Sequence, residues 1–214
     1  MQAAFLFQAH EPAGAFVLAF IFGVVGNKTN FCTMGAVSDW VNIGDFNRMR
    51  MWLLAIAVAL LGASALELGG VIQLSKSIYP GPNFTWLSYL IGGFLFGVGM
   101  TLGSGCGSKT LIRLGAGNLK SLVVYVFIGI AAYMTLRGLF GAFRVGVLEK
   151  ASLTLASGQD LPSLLAAGTG VARAGWTAIL AVVLGGGLLV FVFSSRAFRA
   201  SFDYTLGGVV TGLV

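Results

Sequence analysis

Five stretches of this chain, residues 13–26, 51–74, 86–104, 120–140 and 174–195, are apolar almost throughout, and the charge is pushed into the gaps between them. A helix needs about 20 apolar residues to cross a bilayer, fewer where it is broken or shielded by protein. Runs of this length, recurring five times, leave little choice of architecture. The pattern predicts an all-α polytopic membrane protein, with the 214 residues forming a single transmembrane domain.

Composition agrees with the runs. Hydrophobic residues make up 57% of the chain and charged residues only 9%, with a mean hydropathy of +0.91. A soluble domain carries about a quarter charged residues, so this chain lacks the polar shell that water would require. The formal charge of +6 would suggest nucleic acid in a soluble protein. Here the basic residues stand between the apolar runs and read as topology signals instead.

Segment 27–50 holds Lys28, Arg48 and Arg50, segment 105–120 holds Lys109, Arg113 and Lys120, and segment 196–203 holds Arg196 and Arg199, whereas loop 75–85 holds only Lys76. The positive-inside rule puts the three basic segments in the cytoplasm, with Met1 and loop 75–85 on the periplasmic side of a bacterial inner membrane. Segment 141–173, with Arg144, Lys150 and Arg173, is expected outside, carrying a short helix over about 144–157. The opening residues show no basic region ahead of a cleavage site, so no cleaved signal peptide is expected. The run that starts near Phe202 stops after 13 residues, too few to span. It is expected to be a half-depth helix over 202–214 or, better, a truncated one in the front part of a longer protein.

Two cysteines make neither a disulfide framework nor a tetrahedral metal site, and the single histidine, His10, has no sequence partner. Metal and cofactor chemistry are therefore not expected. The cysteines instead mark an internal repeat. "FIFGVVGNKTNFC", ending at Cys32, and "FLFGVGMTLGSGC", ending at Cys106, match at Phe, Phe, Gly, Val and Cys, with a constant offset of 74 residues from 32 to 106. The repeat units are about 14–74 and 86–140. Each has an apolar half-helix, a polar and small-residue break, and a cysteine opening a second short helix, which is how many transporters build a site near the middle of the membrane.

Bare backbone amides inside a bilayer cost several kcal/mol each, so such a break must be covered by protein or line a polar cavity. The amides freed at the second helix point into the gap and favour an anion there. A thiol at that point is a weak donor that a soft sulfur atom can meet. Asn30, Gly105, Gly107 and Ser108 form the breaks around Cys32 and Cys106. Lys28 and Lys109, each within four residues of a cysteine, could attract the same anion, although both also fit the topology pattern. Glu67, in "GASALELGG", is the only acidic residue inside an expected span and is a functional candidate by default. Gly93 and Gly97 read as close helix packing through small residues.

Other readings stay open on the residues alone. A lone membrane cysteine is ordinarily a small buried hydrophobe, and packing gives no reason for the same uncommon residue at both breaks. A Cys32–Cys106 disulfide, or a membrane thiol–disulfide oxidoreductase cycling these two residues, is the alternative to a permease. Such enzymes usually keep a resolving cysteine close by, and neither cysteine here has one.

The segments "GNKTNFCTMGAV" and "GGFLFGVGMTLGSGCGSKT" resemble the hallmark motifs of the YeeE/YedE family of bacterial sulfur-compound transporters. The resemblance is strongest over about residues 14–140. It implies an importer of thiosulfate or a related anion rather than an enzyme, with short helices meeting at a central constriction where cysteine thiols pass the ion along. On this resemblance Cys32 corresponds to the first relay cysteine and Cys106 to the second. A third relay cysteine belongs to the family's C-terminal half, and no cysteine follows Cys106 here. The resemblance also implies a small cytosolic sulfur-carrier protein of the TusA type as a partner.

Overall fold

The computed structural model describes residues 2–72, 83–154, 159–170 and 172–214, with the side chains of 2–12 and of Ala151 outside that description. Met1, Lys76 and most of loop 75–85 therefore lie outside the described residues. Five helical stretches are long and apolar enough to cross a membrane: Ala13–Ile43, Asn47–Leu68, Trp86–Gly115, Leu119–Arg137 and Arg173–Phe193. They coincide with the five apolar runs, and the chain is an all-α polytopic membrane protein. Large hydrophobic side chains such as Phe94, Leu95 and Phe127 stand exposed along these helices, as expected where lipid is the solvent.

The chain forms two compact units, Met1–Leu60 with Gly185–Val214, and Leu61–Leu184. In the first, α1 (Gln2–Lys28) is followed by a tight turn, α2 (Thr33–Ile43) and the start of α3 (Asn47–Leu68). Its core gathers Phe31, Met51, Leu54, Ala55, Val192 and Phe198, with Trp52 stacked on Phe31 at 6.2 Å between ring centroids. The C-terminal α12 (Phe202–Leu213) lies against this core by its glycine face. A Cβ on Gly208 would come within 2.7 Å of Leu54 Cδ2, and one on Gly207 within 2.6 Å of Met51 Sδ. Only a residue without a side chain permits that approach.

The second unit holds α4 (Trp86–Leu102), α5 (Gly107–Gly115), α6 (Leu119–Arg137), α7 (Leu139–Phe143), α8 (Leu161–Thr169) and α9 (Arg173–Leu180). Asn118 caps α6 by accepting from the Lys120 amide at 3.0 Å, which fits the preference for Asn at helix starts. Trp176 Nε1 donates to Thr169 Oγ1 at 2.8 Å and fastens α9 to α8.

Two expectations need correction. The short helix expected over about 144–157 instead covers Leu139–Ala151, running through a wide π turn at Arg144–Leu148 and a tight turn at Glu149–Ala151, while positions 155–157 lie outside the described residues. It starts earlier because Gly138 interrupts α6, and it ends because Leu153 and Thr154 turn extended to pair with Phe84 and Asn83. At Gly93 and Gly97 a Cβ would meet nothing within 4 Å among the described residues. The close approach through small residues occurs at Gly207 and Gly208 instead.

Candidate functional site

Both cysteines sit at the start of a short helix, and the turns that lead to them are alike bond for bond. After α1, the amides of Thr29, Asn30 and Phe31 donate to the carbonyls of Val25, Asn27 and Gly26 at 2.9, 3.3 and 3.1 Å. After α4, the amides of Gly103, Ser104 and Gly105 donate to Gly99, Thr101 and Met100 at 2.9, 3.4 and 3.1 Å. Bonds of this kind close a helix when the residue after its end turns left-handed. Asn30 and Ser104 do so, with φ of 52° and 57°, the positive values at non-glycine positions among the described residues. The left-handed region costs an ordinary residue about 1–2 kcal/mol, and asparagine less, so the strain falls mainly on the Ser104 turn.

The chain then turns extended at the cysteine and starts the next helix. Cys32 caps α2 and Cys106 caps α5, their carbonyls accepting from the amides of Ala36 and Thr110, both at 3.0 Å. Both residues are thiols and both are buried, at 5% and 8% exposure. Burial of this degree keeps bulk water from the sulfur. At Cys32 the sulfur accepts from the Gly35 amide at 3.5 Å, a place where an N-cap oxygen would ordinarily stand. At Cys106 the carbonyl also takes a bond from Thr110 Oγ1 at 3.2 Å. Each cysteine thus stands at the N-cap, the end of a helix that favours negative charge, although only the Cys32 sulfur makes a cap bond to a first-turn amide.

The other residues singled out in the sequence divide. Asn30 forms the first turn, and Gly105 lies in the second, with the Lys109 side chain passing 3.6 Å from the position a Cβ would take there. Gly107 and Ser108 open α5 on its exposed side. Lys28 has a carboxylate partner within the same unit. It ends α1 and pairs with Asp203 of α12 at 3.9 Å, both side chains more than half exposed.

Two arginines that the sequence reading left as topology signals are found at the breaks. Arg48, from the first turn of α3, lies over Gly35 and pairs through Nη1 with Asp39 Oδ2 at 3.2 Å. Arg113, in the last turn of α5, donates from Nη1 to the Ser104 carbonyl at 3.2 Å. Their signal in sequence is faint: carrying the repeat alignment three residues past each cysteine sets Gly35 opposite Lys109, a cation missing from the first copy.

Glu67 belongs to a separate cluster in the second unit. Arg173 bridges Glu67 Oε1 at 3.4 Å and Asp160 Oδ2 at 3.1 Å, and Ser163 Oγ donates to Asp160 at 2.8 Å. Partial burial pushes the Asp160 carboxyl upward, but the Ser163 hydrogen bond and the Arg173 charge outweigh it and hold the group below 3.8. A cavity of about 390 Å³ opens beside Glu67, Gly70, Arg173 and Thr177. No group of three or more potential metal ligands is found among the described residues.

The profile of a family described as "Sulphur transport" matches residues 28–214. Similar curated proteins include the thiosulfate transporter TsuA of Spirochaeta thermophila, 28% identical over 158 residues, which is 70% of this chain and 46% of that protein. The thiosulfate transporter TsuA of Escherichia coli K12 is 29% identical over 115 residues, 53% of this chain and 31% of that protein. The chain thus spans less than half the length of these curated relatives.

Proposed function

This chain belongs to the sulphur transport (YeeE/YedE) family, and from that premise we propose that it imports a sulfur-containing anion, thiosulfate first, across the bacterial inner membrane. What carries the reading is the pair of matched turns, each delivering a buried thiol to the N-terminus of a short helix. In this reading the turns interrupt spans of an internal repeat within one transmembrane domain, and their backbone faces a narrow passage. The names of the relatives, both thiosulfate transporters, support the choice of anion.

The mechanism follows from what a dry passage demands. An anion leaving water loses hydration worth tens of kcal/mol unless the protein replaces it. Helix-end amides supply fixed dipoles, and the thiols at Cys32 and Cys106 supply donors soft enough to suit a sulfur atom. Two weak donors alone are insufficient, so nearby cations must share the load. The anion moves from one donor set to the next by exchanging hydrogen bonds, with no covalent step. The basic segments 27–50 and 105–120 lie on the cytoplasmic side of the two breaks, where a TusA-like sulfur carrier would meet the imported anion.

The test is uptake of labelled thiosulfate by proteoliposomes holding the protein, with sulfate and chloride as competitors. Thiosulfate-specific accumulation is the expected result. A thiol–disulfide oxidoreductase would instead transport nothing and would lose its redox activity with Cys106→Ser, whereas a permease should keep part of its uptake in that variant.

A further inference from the structure

The position a Cβ would take at Gly35 lies 2.5 Å from Arg48 Nη1 and 3.5 Å from the Cβ of Cys32. The guanidinium thus fills the methyl-sized space that this glycine leaves, with Cys32 bordering the same space. Nothing in the α2 backbone conformation calls for glycine at position 35, since its φ is not in the left-handed region. The space is what needs it. Asp39, one turn along α2, holds that same Nη1 at 3.2 Å.

In the second break the same position is filled differently. Lys109 stands where Gly35 stands, three residues after the cysteine in each case. Its own side chain runs past Gly105, the residue before Cys106, at 3.6 Å from that glycine's Cβ position, with Arg113 Nη1 at 3.9 Å from the same point. One break therefore carries its cation on the helix itself. The other has surrendered that side chain to a glycine and receives an arginine from the next helix through the gap.

We propose that Arg48 is the anion-receiving cation of the Cys32 break, a specificity-determining residue for the transported sulfur oxyanion, and that it does there what Lys109 does beside Cys106. This rests on the transport reading above. A guanidinium has five donors in a fixed fork, so Asp39 can take one N–H of Nη1 while the remaining donors are offered to the anion. The single bond at Nη1 to Asp39 is compatible with that sharing. Lys28, the nearer lysine in sequence, is occupied at Asp203 on an exposed face and does not take this part.

The experiment is saturation kinetics of thiosulfate uptake in proteoliposomes, with the amount of each variant in the membrane measured alongside. Arg48→Gln should raise KM about tenfold or more, since losing a charge partner at about 4 Å costs less than tenfold in water and about a thousandfold at an effective dielectric constant of about 20. The decisive variant is the double substitution Gly35→Lys with Arg48→Gln, which rebuilds the first break on the plan of the second and should recover most of the lost affinity. Gly35→Ala keeps every charge and moves only the flexible end of Arg48, and it should raise KM by a smaller factor. Asp39→Asn, which frees the guanidinium without removing it, should retain uptake. Unchanged KM in Arg48→Gln overturns the proposal. So does a double variant no better than Arg48→Gln, or an Asp39→Asn as impaired as Arg48→Gln, which would make the pair a strut between α2 and α3. If the parent protein takes up no thiosulfate at all, the transport reading itself fails and this inference goes with it.

Discussion

Replacing Gly208 by alanine drives a methyl group into Leu54, whose Cδ2, Cβ and Cγ lie 2.7, 2.8 and 2.8 Å from where the new carbon would stand. Ordinary carbon contacts sit at about 3.5–4.0 Å. Leu54 is 1% exposed and packed among Met51, Ala55, Val192 and Phe198, so it cannot swing aside. The strain must be relieved by α12 backing off by up to about 1 Å, and a gap of that size forfeits a quarter to a half of each contact's attraction. Overpacking of a tight core typically costs about 1–3 kcal/mol. For a chain of this length each kcal/mol moves the melting temperature by about 2–4 °C. A fall of about 3–10 °C is expected in thermal unfolding of the purified protein in detergent, followed by tryptophan fluorescence. Gly97→Ala is the control: its Cβ would meet nothing within 4 Å among the described residues, and alanine is the better helix former by up to about 1 kcal/mol. It should leave the melting temperature unchanged or slightly raised. Equal effects at the two positions would refute the packing argument for α12.

Further outcomes follow from the same geometry. Ser104→Gly should be tolerated or mildly stabilising, whereas Ser104→Val should cost about 1–2 kcal/mol in the same melt, because φ is 57° there. Arg173→Met removes the cation that bridges Glu67 and Asp160 and should lower stability near neutral pH. Because the folded-state pKa of Asp160 is depressed, its stabilising share is present above the unfolded value near 3.8 and lost as pH falls through the folded value. The Arg173→Met penalty should therefore shrink in melts taken at progressively lower pH below about 4. Lys28→Gln should change stability by less than about 1 kcal/mol, since its pair with Asp203 is exposed.

The long apolar helices were legible because a bilayer leaves a helix little freedom in length or composition, and Phe94 and Leu95 advertise lipid contact wherever they point. The ends of α1 at Lys28 and α4 at Leu102 stand in the same relation to their cysteines, four residues ahead of each. Other features depend on contacts between residues distant in sequence. Nothing near Leu153 announces its pairing with Phe84. Gly93 and Gly97 have the small-residue spacing of a packing face, yet the close approach belongs to Gly207 and Gly208, because Leu54 and Met51 are what meet them. Lys28 stands out in sequence because it is near Cys32, whereas Arg48, 16 residues on, reaches the same turn of α2 only after the chain has turned at Gly44 and begun α3. Glycine at position 35 is silent in sequence because its meaning is the side chain that fills its space.

The central claim is that the buried thiols at the two helix starts carry the anion, and thiosulfate uptake by the Cys32→Ala, Cys106→Ala double variant tests it most directly. Losing a donor in a dry passage costs about 1–3 kcal/mol, more toward a charged partner, and each 1.4 kcal/mol on a barrier is about a factor of ten in rate. Either single alanine variant should therefore take up thiosulfate about tenfold more slowly than the parent, and the double variant should fall further still. A double variant that reaches the membrane in parental amounts and transports thiosulfate at the parental rate would contradict the account.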